Sequence, residues 1–143
     1  MARVAIITGG AQGIGAAVAK QFLQDGFAGV VLLALRADRL AQEAKALSKL
    51  GAVVTLAADL RDNATPDKAV ELALKTFGRL DVLINAAGNT ERCSVEDASV
   101  DAYHRLFDVN VKAPLFMMQK CAAAMKDGGC IVNISSMLAH GGP

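Results

Sequence analysis

The chain has 143 residues, 53% of them apolar and 4% aromatic, and its 15 basic and 14 acidic side chains leave a net charge of +1. This length suits a single hydrophobic core that buries roughly 70% of the surface exposed by the unfolded chain. Balanced charge without a basic stripe, and few rings to stack on bases, exclude nucleic-acid binding; no run reaches the roughly 18 uninterrupted apolar residues of a membrane span.

Up to residue 136, apolar strand-like runs alternate with longer helical stretches, the pattern of a parallel sheet covered on both faces. The first strand is predicted over 3–8. It stands where a signal peptide would carry its charged and apolar regions, so the expected compartment is the cytoplasm. A helix of small and apolar residues follows over 13–25, closed by Gly26. After a strand over 29–35, a helix over 38–50 repeats Leu40, Ala44, Leu47 and Leu50 at helical spacing and stops at Gly51. A third strand is predicted over 53–58. The next helix opens with Thr65-Pro66-Asp67, with proline suited to a first turn, and stops at Gly78. A strand over 80–85 then leads to a long helix over about 99–125, where Pro114 removes one backbone donor and should bend the axis. The last strand is predicted over 130–135.

All five strands are rich in Val, Ile and Leu with little alternation, as doubly covered strands should be. Right-handed crossovers order them 3-2-1-4-5, giving one Rossmann-type, doubly wound α/β domain over 1–143. Its switch point falls between the first and fourth strands, and ligands bind in that crevice outside the carboxyl ends. Cys93, Cys121 and Cys130 are odd in number and spaced unlike a zinc knuckle or a redox pair, with His104 and His140 as the histidines. They are expected to be ordinary buried or half-buried thiols, and no metal site is expected.

The strand Val4-Ala5-Ile6-Ile7 runs directly into Thr8-Gly9-Gly10-Ala11-Gln12-Gly13-Ile14-Gly15 and then a helix. Such a turn binds phosphate because backbone N–H groups and the positive helix end converge there, and a β-carbon would block the approach. Gly9, Gly13 and Gly15 are placed for this. Further along stand Asp59 near the end of the third strand, Asn85-Ala86-Ala87-Gly88 after the fourth, Asn110 within Val109-Asn110-Val111, and Asn133-Ile134-Ser135-Ser136 at the end of the fifth.

The spacing Thr-Gly-x-x-x-Gly-x-Gly, followed by these motifs in this order, resembles the short-chain dehydrogenase/reductase family over essentially the whole chain. The resemblance extends to the first half or so of that family's domain. It implies a nicotinamide dinucleotide held by Thr8, Gly9, Gln12, Gly13, Ile14, Gly15, Arg36, Asp59, Leu60, Asn85, Ala86 and Gly88, with Asp59 against the adenine amino group. In this family an acidic residue ending the second strand selects NAD, and a basic one selects NADP. Here Leu35 and Arg36 occupy that place, with no acid until Asp38, so the residues favour NADP and leave NAD open. Gln12 argues the other way, because NADP-preferring relatives often carry a basic residue at that turn position.

The implied chemistry is hydride transfer between the nicotinamide and a small-molecule carbonyl or secondary alcohol. Ser136 and Asn110 are the implied catalytic residues, Ser136 holding the carbonyl oxygen and Asn110 helping to hold a water for proton relay. Ser136 is preferred to Ser135 because Met137, Leu138 and Ala139 follow it in the family's manner. The family's proton donor belongs to a Tyr-x-x-x-Lys pair, whose lysine lowers the tyrosine pKa. The only tyrosine, Tyr103, is followed four positions on by Phe107, and seven residues remain after Ser136. The expectation is a C-terminally truncated domain, inactive in this form, whose complete form is a homo-oligomer; the alternative is a non-catalytic nucleotide-binding or interaction module. The last strand is then expected as an exposed apolar edge and Phe116 and Met117 as uncovered, with self-association the consequence.

Overall fold

The computed structural model describes residues 2–136. Its five strands are β1 (Val4–Thr8), β2 (Gly29–Ala34), β3 (Ala52–Ala57), β4 (Val82–Asn85) and β5 (Cys130–Asn133). They form one parallel sheet in the order β3-β2-β1-β4-β5. Three helices, α1 (Gly13–Gln24), α2 (Ala37–Leu47) and α3 (Thr65–Phe77), follow the first three strands in turn. After β4 come α4 (Val100–Phe107), a π-helical turn over Asp108–Lys112, and α5 (Ala113–Ala124).

Alternating side chains of the central strands feed two cores. Ala5, Ile7, Val30 and Leu32 pack under Ala19 and Leu23 of α1 and Leu40 and Leu47 of α2. Ile6, Val31, Leu33 and Leu83 pack under Ala69 and Ala73 of α3 and Met117 and Cys121 of α5. Every residue of β1 and β4 is therefore buried. The register aligns Thr8 with Asn85, and Asn85 with Asn133, placing a polar row at the carboxyl ends of adjacent strands. At the opposite ends, buried Asp81 accepts from the Val4 N–H at 2.8 Å and pairs with Arg79.

Several expectations are corrected. The helix expected over 38–50 ends at Leu47, because Ser48 turns its hydroxyl back to the Lys45 carbonyl at 2.9 Å and Leu50 N–H closes a turn on Leu47. The long helix is one uninterrupted helical run over 100–124, with the π-helical turn Asp108–Lys112 set between α4 and α5. Pro114 lies inside that run, in the first turn of α5, and the irregularity precedes it, where Ala113 N–H donates five residues back to the Asp108 carbonyl. Met117 is buried against the sheet, whereas Phe116 is exposed as expected. Cys121 is buried, and burial pushes its thiol up to about 12; Cys93 and Cys130 are exposed, one in the loop after β4 and the other at the start of edge strand β5. Among the described residues no helix is long and apolar enough to cross a membrane.

Candidate functional site

The carboxyl ends of β1 to β4 open onto a cleft of about 710 Å³. One wall is the turn between β1 and α1. α1 starts at Gly13 with Gln12 as cap residue and no side-chain cap, so its first-turn N–H groups and positive end are open to an anion. Gly13 has φ +55°, and a β-carbon there would meet nothing within 4 Å: the backbone requires glycine and the space in front is clear. Gly9, at φ +67°, lies so close to the next loop that its β-carbon would stand 2.8 Å from Ala87 N. A β-carbon on Gly15 would collide with the Gly9 carbonyl oxygen. An uncapped helix end beside a long cleft fits the pyrophosphate of a dinucleotide.

Gly9, Gln12, Gly13, Ile14, Arg36, Asp59, Leu60, Ala86 and Gly88 are brought together on the cleft walls. Three expected contact residues lie behind them. The buried Thr8 hydroxyl accepts from Ala86 N and Ala87 N, each at 3.1 Å, and so holds the β4 loop in place. Gly15 serves close packing of α1 on the turn. Asn85 is buried and spends its amide on Asn133 Oδ1 at 2.9 Å, joining β4 to β5. All three shape the wall without forming its surface, because each is turned toward the neighbouring backbone or strand.

Asp59 stands two residues beyond β3. Its carboxylate accepts from Arg61 N at 2.9 Å and from the Arg61 guanidinium at 2.6 Å, which holds it below the usual carboxylate range. Lys112 of the π-helical turn donates to the Arg61 carbonyl at 3.2 Å, tying that turn to the Asp59 loop. Arg36 forks onto Asp38, with its shorter bond 2.6 Å, and the Asp38 carboxyl is lowered in consequence. Arg105 of α4 pairs with Glu91 at 2.8 Å and likewise lowers its carboxyl.

Arg39, Arg61 and Arg105 line the cleft but were not singled out in the sequence. Arg39 carries a readable signal, since it falls in the first turn after the end of β2. Arg105 carries none, because its partner Glu91 lies fourteen residues earlier, in the loop between β4 and α4.

Asn110 sits in the middle of the π-helical turn. Its Oδ1 accepts from Asn89 N at 2.8 Å and its Nδ2 donates to Asn89 O at 2.7 Å, so the side chain clamps a residue of the cleft wall. Pro114 has no N–H, so the Asn110 carbonyl cannot take the bond an α-helix would give it from four residues on. Ser136 lies exposed three residues beyond β5, on the same carboxyl side of the sheet. Met137, Leu138, Ala139 and His140 lie outside the described residues. Tyr103 stacks on Phe107 at 4.2 Å on the exposed side of α4.

Residues 3–143 match the family described as short chain dehydrogenase. An uncharacterized oxidoreductase of Methylorubrum extorquens is 38% identical over 139 residues, 95% of this chain and 55% of the relative. Two solved structures share the fold closely. That of L-sorbose reductase from Gluconobacter frateurii complexed with NADPH and L-sorbose gives a TM-score of 0.91 at 30% identity, covering 96% of this chain and 54% of that one. That of a blue fluorescent protein from a metagenomic library in complex with NADPH gives 0.89 at 34% identity, covering 96% and 57%. The chain spans a little over half the length of the curated relatives it matches.

Proposed function

Because the chain belongs to the short chain dehydrogenase family, we propose that it is the nucleotide-binding segment of an NADP(H)-dependent oxidoreductase acting on a small-molecule carbonyl or secondary alcohol. The observation that carries this reading is the uncapped start of α1 facing a cleft whose other walls include Asp59 and Gly88. Arginines along the cleft, and the NADPH in two similar proteins, support NADP over NAD. The nicotinamide, when bound, supplies hydride transfer.

This chain's own residues do the rest. The first-turn N–H groups of α1 bind the pyrophosphate, Asp59 and Leu60 border the adenine, and the Thr8 hydroxyl keeps Ala86 and Ala87 in the wall. Asn110 fixes the Asn89 backbone beside the reacting end, and Ser136 holds the substrate oxygen. A second reading is nucleotide binding without turnover, for which the uncapped start of α1 on the cleft would suffice by itself.

The test is a fluorescence titration of NADPH into this chain, run beside carbonyl-dependent oxidation of NADPH by a protein in which the same residues are followed by a Tyr-x-x-x-Lys pair. Ser136→Ala should lower turnover by about 10²-fold, the scale of losing one donor to a developing oxyanion, with a smaller effect on nucleotide affinity. Tight NADPH binding with no turnover on any carbonyl or alcohol would favour the second reading. No binding at all would end both.

A further inference from the structure

Asp59, Leu60 and Arg61, in the loop after β3, line the cleft one after another. Their backbone is held from behind: Ala58 N–H donates to the Ala34 carbonyl at 3.0 Å, and the buried Thr65 hydroxyl donates to the Asp59 carbonyl at 2.6 Å. These bonds leave the direction of the Asp59 carboxylate open, and Arg61 closes it. Three donors of this one residue meet the carboxylate: the backbone N–H on Oδ1 at 2.9 Å, Nε shared between both oxygens at 3.0 Å, and Nη2 on Oδ2 at 2.6 Å. We infer that Arg61 is the positioning residue that sets the base preference of the cleft, aiming the Asp59 carboxylate so that it and the Leu60 N–H together accept a 6-aminopurine and reject a 6-oxopurine. The inference rests on the dinucleotide reading above and concerns how that site tells its base from another.

Donors and acceptors carry the inference. An ionised carboxylate only accepts, at about four lone-pair positions, so three donors from Arg61 leave about one for a ligand. Arg61 also holds the Asp59 carboxyl below the usual carboxylate range, which keeps it ionised at neutral pH with no proton to offer a carbonyl oxygen. Leu60 supplies the opposite half, because among the described residues its N–H meets no acceptor. An acceptor and a donor on adjacent residues complement the exocyclic amine and ring nitrogen of a 6-aminopurine, which donate and accept in that order. A 6-oxopurine presents a carbonyl oxygen and a ring N–H, and so fails at both positions, leaving polar groups of the site unpaired. Aiming a carboxylate through two side-chain donors at once takes the planar fork of a guanidinium, which an ammonium lacks. Arg61 is itself tied down by Lys112 of the π-helical turn, which donates to its carbonyl at 3.2 Å.

The test titrates two ligands calorimetrically into this chain and its variants: NADPH, and the analogue in which hypoxanthine replaces adenine. The ligands carry the same charge at neutral pH, so the ratio of their dissociation constants isolates the base. The unsubstituted protein should bind NADPH about 10- to 100-fold more tightly, the range for one or two mismatched hydrogen bonds. Arg61→Met should bring the ratio to within about threefold of unity, less than one ordinary hydrogen bond. Arg61→Lys should fall between, since it keeps the charge and loses the fork. Asp59→Asn should level or invert the ratio, because a carboxamide can donate to a carbonyl oxygen. The Arg61 and Asp59 side chains are partly exposed, so the variants are compared as folded proteins, with circular dichroism as the check. If Arg61→Met weakens both ligands equally and keeps the ratio, Arg61 is a general counter-charge and the inference is overturned. A ratio that survives Asp59→Asn overturns it as well. Equal binding of both ligands to the unsubstituted protein overturns it while leaving a dinucleotide site; binding of neither removes the dinucleotide reading and this inference with it.

Discussion

At one end of the cleft the glycine turn leans on finished structure: Gly9 lies against the Ala86–Ala87 backbone, Gly15 against Gly9, and the Thr8 hydroxyl takes two N–H groups from the loop opposite. Outside the cleft lining, Asn110 is an exposed side chain on a π-helical turn that holds Asn89 of the wall, and Ser136 is an exposed residue beyond edge strand β5, whose Cys130 and Val132 are exposed too. The first end is made of main chain set directly on the core, so changes there act on stability and binding together. The second is made of side chains at the periphery, where changes should act on turnover if the proposed function holds.

The comparison can be broken or sharpened by substitution. Gly9→Val should have the largest effect, about 3 kcal/mol or more, because it adds left-handed strain to a backbone collision; a denaturant midpoint near that of the unsubstituted protein would show that the turn does not rest on the loop. Asp81→Asn, at the foundation of the strands, should cost about 2 kcal/mol at pH 7 through its bonds to Arg79 and Val4 N–H. Those bonds hold the Asp81 carboxyl below its ordinary value, with Arg79 the main cause. A depressed folded pKa means that this stability is complete above the unfolded value of about 3.9 and is lost as pH falls through the lower folded one. The variant should therefore show a flatter loss of stability below about pH 4 in acid unfolding curves.

Thr8→Val should cost about 1–2 kcal/mol in thermal unfolding, since Ala86 and Ala87 N–H lose their acceptor. Gly13→Ala should cost about 1 kcal/mol for its positive φ, but at least about tenfold in NADPH affinity, since the new methyl stands in the open space before the helix. Equal NADPH affinity in this variant would move the pyrophosphate elsewhere. Smallest in stability is Asn110→Ala, about 0.5–1 kcal/mol for its exposed bonds to Asn89. In a protein where the same residues are followed by a Tyr-x-x-x-Lys pair, turnover should fall by about tenfold or more; turnover that tracks stability would erase the contrast between the two regions.

The strands are legible in the amino-acid sequence because β1, β2 and β4 are continuous apolar runs, which a doubly covered sheet demands and a loop does not tolerate. Pro114 announces an irregularity in the long helix, but its location ahead of the proline depends on where Ala113 finds an acceptor. The end of α2 is not legible in the same way, because Ser48 competes with Gly51 as a stop, and a hydroxyl's choice of carbonyl is a matter of geometry. About half of the residues lining the cleft can be named from the motifs. Thr8, Gly15 and Asn85 are named with them, since a motif does not distinguish a residue that touches a ligand from one that supports its neighbour.

The amino-acid sequence by itself determined the order of strands, the glycine turn and the family, because hydrophobic period, missing β-carbons and right-handed crossovers are local or nearly local properties. Which arginine keeps a charge unmatched by a carboxylate was decided only by the tertiary structure. Arg39 meets Gln12 from another helix, whereas Arg36 meets Asp38 two residues away. A charge is neutralised by what stands within a few ångströms of it, and across elements that neighbour is chosen by the packing of the whole sheet.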